Sequence, residues 1–334
     1  MTRFRTHGLG ERFSQMGYLL RHTATIVGRD RDILTPVIRT IIVSVILVTL
    51  FFAMVAAYAV EARGAGTALL LVWAGAGIYH FFYFNRQELA LSWLVYETAA
   101  GRDRSFAEAM DRVGSLGGQI RILALLDMAA AWIASRRGQS EKKGFLTNLV
   151  LGAMTEGWDL VNHFLLPAFA VDGVGFRDGM DKLRATRERV PETLVGVFGI
   201  DVLGRVVATL VAPLYMLLVL IGVAAGTWLS GILPGAFEGG ELGALLPAFA
   251  FDYLPWTSDT LFNWLPIFVC TFLGKLISTA FKCVVTAAKV IYFTLFYARL
   301  LHPEDLSPEI RQELESYLTF GGKGDPGAPD PVHG

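Results

Sequence analysis

The stretch that decides the fold is IIVSVILVTLFFAMVAAYAV, from Ile41 to Val60, which contains no charged side chain. A helix rises about 1.5 Å per residue, so this run matches a hydrocarbon core of roughly 30 Å. The sequence therefore predicts a membrane-spanning helix at this point. Because 40 mostly polar residues precede it, we expect an uncleaved insertion signal and not a cleavable signal peptide.

Three further apolar blocks of similar or greater length follow the first one. They cover residues 67–84, 194–232 and about 260–300. The composition is 53% hydrophobic and 18% charged, and the mean hydropathy is +0.48. Together these features predict an all-α, polytopic membrane protein with four spans. The net charge of −1 gives no bias toward nucleic acid.

The middle of the chain allows two topologies. Ser105 to Glu108 has the pattern of a capping box that opens a short amphipathic helix. Two apolar stretches follow at 118–135 and 145–171, with the basic insert SRRGQSEKKG between them. If both cross the bilayer, the insert lies outside, against the positive-inside rule; if both are re-entrant, it stays inside. We favour two crossings, six in all, because 145–171 is long enough to span.

These patterns divide the chain into four parts. Residues 1–40 carry seven arginines and form a predicted cytoplasmic, amphipathic arm, which either lies on the membrane surface or packs on the rest of the protein. Residues 41–301 hold the transmembrane helices, 302–319 form a short cytoplasmic helix, and 320–334 have the composition of a disordered tail. The stretch 233–259 has no Lys or Arg and should face outward, which places both termini in the cytoplasm.

Two groups of polar residues inside apolar blocks are candidate sites. Asp201 and Arg205 lie one helical turn apart, so they can pair within the bilayer. We interpret them as a pair that locks one helix into the bundle; a role in ion or substrate passage and a position at the interface are the alternatives. Glu156, Asp159 and His163 share one helical face, which could bind a metal or relay protons. Because partner ligands are missing, we favour a polar lining and predict no metal or cofactor.

Three lysines repeat every seven residues along the last apolar block, at Lys275, Lys282 and Lys289. They drift by only about 40° around a helix axis, so they share one face. We expect this face to snorkel toward the cytoplasmic interface; binding of anionic lipid headgroups or of a substrate anion is the alternative. Cys270 and Cys283 are too far apart on one helix for a disulfide and are expected to be buried as small apolar residues.

A stripe of small residues and the length of the last block predict features of the packing. Gly222, Gly226 and Ser230 permit close helix contact, either within the monomer or across a dimer seam. From Ile267 to Leu301 no proline interrupts the chain, which predicts one helix about 52 Å long. Since this exceeds a hydrocarbon thickness of roughly 30 Å, its end should project into the cytoplasm. The arm, residues 85–117 or a neighbouring protomer should cover it.

Two longer stretches resemble an uncharacterised bacterial integral-membrane family. ERFSQMGYLLRHTATIVGRDRDILTPVI, from Glu11 to Ile38, resembles its opening, in which a short amphipathic helix and a charged turn precede the first span. FLLPAFAVDGVGFRDGMDKLRATRERVPETLVG, from Phe164 to Gly196, resembles a unit that this family shares with the membrane domain attached to some bacterial glycerophosphodiester phosphodiesterases. The resemblance implies a helical protein of the bacterial inner membrane and supplies no catalytic residues. The SRRGQSEKKG insert departs from the family pattern.

The motifs that the sequence lacks bear on its function. It has no HExxH motif, no phosphate-cradling glycine pattern and no nucleophile–base arrangement, so an enzyme is disfavoured. We expect a non-enzymatic membrane scaffold or accessory subunit that assembles with itself or with another membrane protein. The alternative is a transporter or lipid-handling protein whose path the polar residues named above would line. Convergence of those residues on one cavity would distinguish the two.

Overall fold

A computed structural model describes residues 27–138, 161–185, 211–226, 228 and 265–312. This part of the chain is helical and contains no strand, which confirms the predicted all-α class. In chain order the helices are α1 (Leu34–Ala59, after a 3-10 turn at Arg31–Ile33), α2 (Arg63–Ala99), α3 (Phe106–Gly114), α4 (Gly117–Gly138), α5 (161–172), α6 (Phe176–Ala185), α7 (Val211–Gly226) and α8 (Leu265–Leu301).

Three of the described helices, α1, α2 and α8, are long and apolar enough to cross a membrane. Helices α3 and α4 meet at a bend of 85° and pass the same test only as a pair, which gives up to four candidate spans in the described chain. The predicted spans at Ile41–Val60, 67–84 and about 260–300 fall within α1, α2 and α8. The block 194–232 is described only at 211–226 and 228, so its crossing stays a prediction. The topology of the middle pair also stays a prediction.

Helices α1 and α2 form a tight antiparallel hairpin. Glu61 makes the turn in the left-handed region, with a φ of 60°. Gly66 lies against the ring of Tyr58, so close that an added Cβ atom would be 2.9 Å from two ring carbons. The missing side chain at Gly66 therefore lets the two helices start side by side.

Helix α8 packs antiparallel to α1 along the same bundle. Near its start, the rings of Phe268 and Phe272 lie 5.3 and 5.1 Å from the ring of Phe52. Further along, the Cys283 thiol approaches the Ser44 hydroxyl at 3.7 Å. Helix α8 thus runs from the α1–α2 turn toward the beginning of α1.

Helices α2 and α8 each contain 37 residues in one unbroken run, or about 55 Å. Their first parts expose large apolar side chains, whereas their last parts are buried: between 85 and 99 all residues but Arg86, Trp93 and Thr98 are buried, and so are 293–298. We call 63–84 and 265–284 the apolar halves. Helix α2 therefore does not end with the predicted span at 84 but continues for another 15 residues.

The buried ends of α2 and α8 form the centre of a helical head, which also contains α3, the first turns of α4, α5, α6 and residues 302–312. One continuous cluster of buried apolar side chains holds it together, including Leu89, Leu94, Val95, Val113, Leu123, Leu165, Phe169, Val290, Ile291, Leu306 and Ile310. One prediction is confirmed here, since helix α8 has no break at Gly274. Of the candidates expected to cover its end, residues from 85–117 do so, together with Val27 and Ile33 of the predicted arm.

The start of α3 is fixed by the predicted capping box. The Ser105 hydroxyl accepts from the Glu108 amide, and the Glu108 carboxylate accepts from the Ser105 amide at 2.8 Å. The Phe106 amide donates to the Asp32 carboxylate at 2.8 Å, and the Arg39 guanidinium lies 4.4 Å above the Phe106 ring. These contacts attach α3 to the beginning of α1.

The end of α5 is closed by Arg112 of α3. Its guanidinium donates to the carbonyl oxygens of Ala170 and Val171, at 3.2 and 3.0 Å. A positive group is favourable there because the carbonyl end of a helix carries partial negative charge. The chain then turns at Gly173, whose φ is 64°, and a Cβ atom added to it would lie 2.9 Å from the guanidinium. This turn places Asp172 beside the end of α8.

Candidate functional site

An inner polar cluster lies where α1 meets the apolar halves of α2 and α8. The Ser44 hydroxyl and His80 Nε2 are 3.0 Å apart, and the Cys283 thiol donates to the same hydroxyl at 3.7 Å. The His80 ring also stacks on Phe84, with a centroid distance of 5.7 Å. An ionisable side chain in a candidate span is costly and usually faces a polar interior. This cluster is therefore a candidate site.

A small cavity adjoins this cluster between the same three helices. Its volume is about 20 Å³, which is room for one water molecule. Oxygen-bearing side chains line one part of it, namely Thr40, Gln87, Glu88 and Thr286. Gln87 is 2% exposed and Glu88 6% exposed. Gln87 Oε1 has no hydrogen-bond partner among the described residues.

The seam between α2 and α8 stays polar as it enters the head. Ser92 and Thr294 are both fully buried, and their hydroxyl oxygens are 2.8 Å apart. One turn further along α2, the Tyr96 hydroxyl donates to the Asp305 carboxylate at 2.6 Å. Polar side chains thus recur every four residues on α2, at Glu88, Ser92 and Tyr96, on the side that meets α8 and the residues after it.

At the far end of the head, Asp172 is the centre of a network that joins α5, α6 and α8. Its carboxylate accepts from the Lys182 ammonium and from the Tyr297 hydroxyl. His302 Nε2 lies 2.8 Å from Asp172 Oδ1 without the angle of a hydrogen bond, and His302 Nδ1 lies 3.4 Å from Asp305 Oδ2. We call these five residues the Asp172 network.

Two opposing effects set the pKa of Asp172. Burial is the largest single effect and raises the pKa, because it disfavours the charged carboxylate. The hydrogen bonds from Lys182 and Tyr297, with the charges of Lys182 and His302, act in the opposite direction and hold the pKa below its usual range. Asp172 is therefore a stable anion whose neighbours supply hydrogen bonds and positive charge. This is the arrangement of a structural lock.

A third polar group connects α4 to the rest of the bundle. The Asp127 carboxylate accepts from the side-chain amide of Asn85 at 2.7 Å and from that of Asn162 at 3.3 Å. Asn85 is the residue at which α2 passes from its apolar half into the head. The carboxylate that interrupts the apolar stretch 118–135 thus faces α2 and α5.

The predicted acidic and basic candidates are described only in part. Five of the predicted site residues lie outside the described residues, so their roles stay predictions: Glu156, Asp159, Asp201, Arg205 and Ser230. His163 is buried in the head, where its ring lies 5.3 Å from that of Phe293. Lys275 and Lys282 are exposed on α8, and Lys289 is half-buried. His163 and Lys275 therefore do not share a cavity. Groups of His, Cys, Asp and Glu suited to a metal ion were not found in the described chain.

The small-residue stripe lies in a contact within the monomer where it is described. A Cβ atom added to Gly222 would lie 2.7 Å from Ile267 Cα, so α7 and α8 touch there through their backbones. Gly226 is also buried. Cys270 is half-buried and Cys283 is buried, both as free thiols. Cys270 is thus less buried than predicted; it lies beside Gly222 in the α7–α8 contact.

Several residues of these clusters were not among the predicted candidates, notably His80, Gln87, Glu88, Asp172 and His302. His80 lies among the aromatic residues Tyr79, Phe81 and Phe82 near the end of a predicted span, and no motif singles it out. Gln87 and Glu88 follow directly after that span and look like ordinary loop residues when α2 is expected to end at 84.

Comparison with protein-family models, with curated proteins and with solved structures finds no match for this chain.

Proposed function

We propose that this protein is a non-enzymatic membrane scaffold or accessory subunit of the bacterial inner membrane. In this proposal α1, α2 and α8 anchor the chain in the bilayer and hold the helical head at the cytoplasmic surface. The head then assembles with a second copy or with another membrane protein. The observation that carries the proposal is the passage of α2 and α8, without a break, from an exposed apolar half into the buried core of the head.

The apolar halves support the anchoring part of the proposal. Leu71 and Ile78 of α2 are 69% and 54% exposed, and Ile42 of α1 and Val284 of α8 are also exposed. Such a surface is unfavourable in water but is solvated by lipid. Because both long helices are continuous, the head and the anchor form one unit with no flexible linker between them in α2 or α8.

The surface of α4 supports the assembly part. Ile122, Leu125 and Trp132 are large, apolar and exposed, and their spacing places them on one side of the helix. Asp127 of the same helix bonds to Asn85, so this stripe lies at the level where the apolar half of α2 meets the head. An apolar stripe at this level suits contact with another membrane-embedded helix.

The test is the mass of the purified protein in mild detergent or nanodiscs, by light scattering and native mass spectrometry. We expect a homo-oligomer or a stoichiometric complex with a co-purifying membrane protein. Leu125→Glu should reduce assembly, whereas the matched variant Ala131→Glu, at an exposed position about 120° around α4 from Leu125, should leave it intact. A strict monomer with no co-purifying protein contradicts the proposal.

A second candidate function is passage of ions or small polar molecules through the bundle. The polar side chains along α2 favour it, because the inner polar cluster, the Ser92–Thr294 pair and the Tyr96 bond to the Asp172 network follow one another from its apolar half into the head. Flux into proteoliposomes tests it, with His80→Ala compared to Tyr79→Ala, a neighbouring exposed residue. Equal flux in protein-free liposomes rejects this candidate.

A further inference from the structure

We propose that the outer face of the α1–α2 hairpin binds one anionic phospholipid, whose phosphate lies between the guanidinium groups of Arg39 and Arg86. Its acyl chains then follow the exposed apolar side chains beneath the two arginines. The site rests on the anchoring part of the proposed function, because a lipid reaches it only where the apolar halves lie in a bilayer. It does not require the assembly part.

The antiparallel register of α1 and α2 brings the two arginines to the same level. The Ser44 hydroxyl lies 3.0 Å from His80 Nε2. Arg39 comes five residues before Ser44, and Arg86 comes six residues after His80, so the two arginines differ by only about 1.5 Å along the hairpin. Both guanidinium groups lie close enough to the Tyr83 hydroxyl for their charges to act on it. The hairpin therefore presents two cations and one phenol hydroxyl in one place.

Neither arginine forms an ion pair with a carboxylate of the described chain. Arg39 lies over the ring of Phe106, with a distance of 4.4 Å to the ring centre. The Asp32 carboxylate, which also contacts Phe106, accepts from the backbone amide of that residue instead. Arg86 is exposed. A guanidinium group binds phosphate oxygens through two parallel N–H bonds, so two arginines without a counter-anion suit a phosphate group.

The surface beneath the arginines distinguishes a lipid from a soluble phosphate. Each helix continues the same face with exposed apolar or aromatic side chains, namely Ile42 and Ile46 on α1 and Val72 and Tyr79 on α2. Successive members of each set, up to Arg39 or Arg86, are three, four or seven residues apart, so they share one side of their helix. A soluble phosphate would contact the arginines alone, whereas a phospholipid also covers the apolar strip.

The position of the arginines matches the depth of a lipid phosphate. The apolar half of α2, residues 63–84, is about 33 Å long, close to a hydrocarbon core of roughly 30 Å. Arg86 follows directly after it, at the level of the headgroups. Two positive charges at this level favour an anionic headgroup such as phosphatidylglycerol. The headgroup of phosphatidylcholine carries a cation of its own, which the arginines repel.

The experiment is native mass spectrometry of the full-length protein released from detergent micelles. The protein is titrated with phosphatidylglycerol and, separately, with phosphatidylcholine of the same acyl chains. We expect one phosphatidylglycerol per chain to bind at least about fivefold more tightly than phosphatidylcholine, since one basic side chain near an anionic headgroup contributes about this factor.

The chain offers matched variants that remove one positive charge each. Arg39→Gln and Arg86→Gln should each weaken phosphatidylglycerol binding by about fivefold. Arg177→Gln, at an exposed position of α6 in the head, makes the same change in net charge and should leave the affinity unchanged. Because Arg39→Gln also removes the contact with Phe106, Arg86→Gln is the deciding variant; Arg86 has no hydrogen bond or ion pair within the described residues.

Three outcomes overturn the proposal. Equal affinities for phosphatidylglycerol and phosphatidylcholine would mean that the hairpin contacts only bulk lipid. Equal affinities of Arg86→Gln and Arg177→Gln would place the lipid elsewhere. Displacement of the lipid by an equal concentration of glycerol 3-phosphate would identify a site for soluble phosphates.

The same spectra give the oligomeric state, so the two proposals are judged separately. A monomer that binds phosphatidylglycerol selectively contradicts assembly and supports this site. An oligomer without lipid selectivity supports assembly and rejects this site.

Discussion

Replacement of Gly222 by alanine tests the contact between α7 and α8. The added Cβ atom would lie 2.7 Å from Ile267 Cα and 3.2 Å from Cys270 Cβ. Since carbon atoms in contact are separated by at least about 3.5 Å, the two helices must move apart by about 0.8 Å. Overpacking of this kind costs about 1 to 3 kcal/mol. It cannot be relieved by rotating a side chain, because the nearest atom belongs to the backbone.

Alanine also has a higher helix propensity than glycine, by about 0.5 to 1 kcal/mol, so a control is needed. Gly75 is that control, because it lies within α2 and an added Cβ atom would meet nothing within 4 Å. Gly75→Ala should therefore be stabilised by the higher helix propensity of alanine, without any cost of overpacking. We therefore expect Gly222→Ala to melt below Gly75→Ala by about 1 to 4 °C, from about 1.4 °C per kcal/mol for a chain of 334 residues.

The assay is thermal unfolding of both variants in the same detergent, followed by tryptophan fluorescence and by the amount of monodisperse protein that remains after heating. Equal melting temperatures for Gly222→Ala and Gly75→Ala would refute the close α7–α8 contact. A lower oligomeric mass of Gly222→Ala at unchanged melting temperature would also refute the contact. That result would place Gly222 at a seam between protomers.

Three further predictions concern other parts of the chain. Because the folded pKa of Asp172 is depressed, its stabilisation is present above the unfolded value of about 3.9 and is lost as pH falls through the folded pKa. Asp172→Asn should therefore cost about 1.5 to 3 kcal/mol at neutral pH and flatten the acid end of a melting-temperature profile; an unchanged profile contradicts this. Ser105→Ala should lower the free energy of unfolding by about 1 kcal/mol and speed amide hydrogen exchange in α3. Unchanged exchange would mean that the capping box is dispensable. Cysteines at Ser140 and Gly239, which lie outside the described residues, report topology in intact cells. Gly239→Cys should react with an impermeant thiol reagent, and reaction at Ser140→Cys would support two middle crossings, whereas protection would support a re-entrant pair.

The sequence was a reliable guide to features that are local in the chain. Ile41–Val60 predicts α1 because an uncharged run of that length has few alternatives to a helix. The absence of proline from Ile267 to Leu301 predicts the unbroken α8, and Ser105 with Glu108 predicts the start of α3. In each case the helix or its start has a local physical cause. In the membrane the backbone must form its own hydrogen bonds, and at the start of α3 one side chain bonds to a residue three positions away.

The continuation of α2 to Ala99 was not predicted, because hydropathy was used to find the end of the span. Arg86, Glu88 and Glu97 lower the hydropathy after residue 84, but they do not break a helix. The stretch has no proline, and its last glycine before the end is Gly77. What buries it is contact with α8 and α3, which the local sequence does not encode.

The candidate sites could not be predicted from spacing for the same reason. Ser44 and His80 are 36 residues apart, Ser92 and Thr294 are 202 residues apart, and no periodic pattern connects either pair. Only the crossing of helices brings them together. The lysines at spacing seven share a face as expected, but such a pattern reports a face of one helix and not a site between helices.

The central claim is that α8 carries the chain from an exposed apolar half into the head as one helix. The most direct measurement is the distance between spin labels at Val269 and Leu301, two exposed positions near the ends of α8, by pulsed electron paramagnetic resonance in nanodiscs. A continuous helix predicts a narrow distribution near about 48 Å at 1.5 Å per residue. A distribution below about 30 Å would mean that the helix breaks and folds back, and would contradict the account.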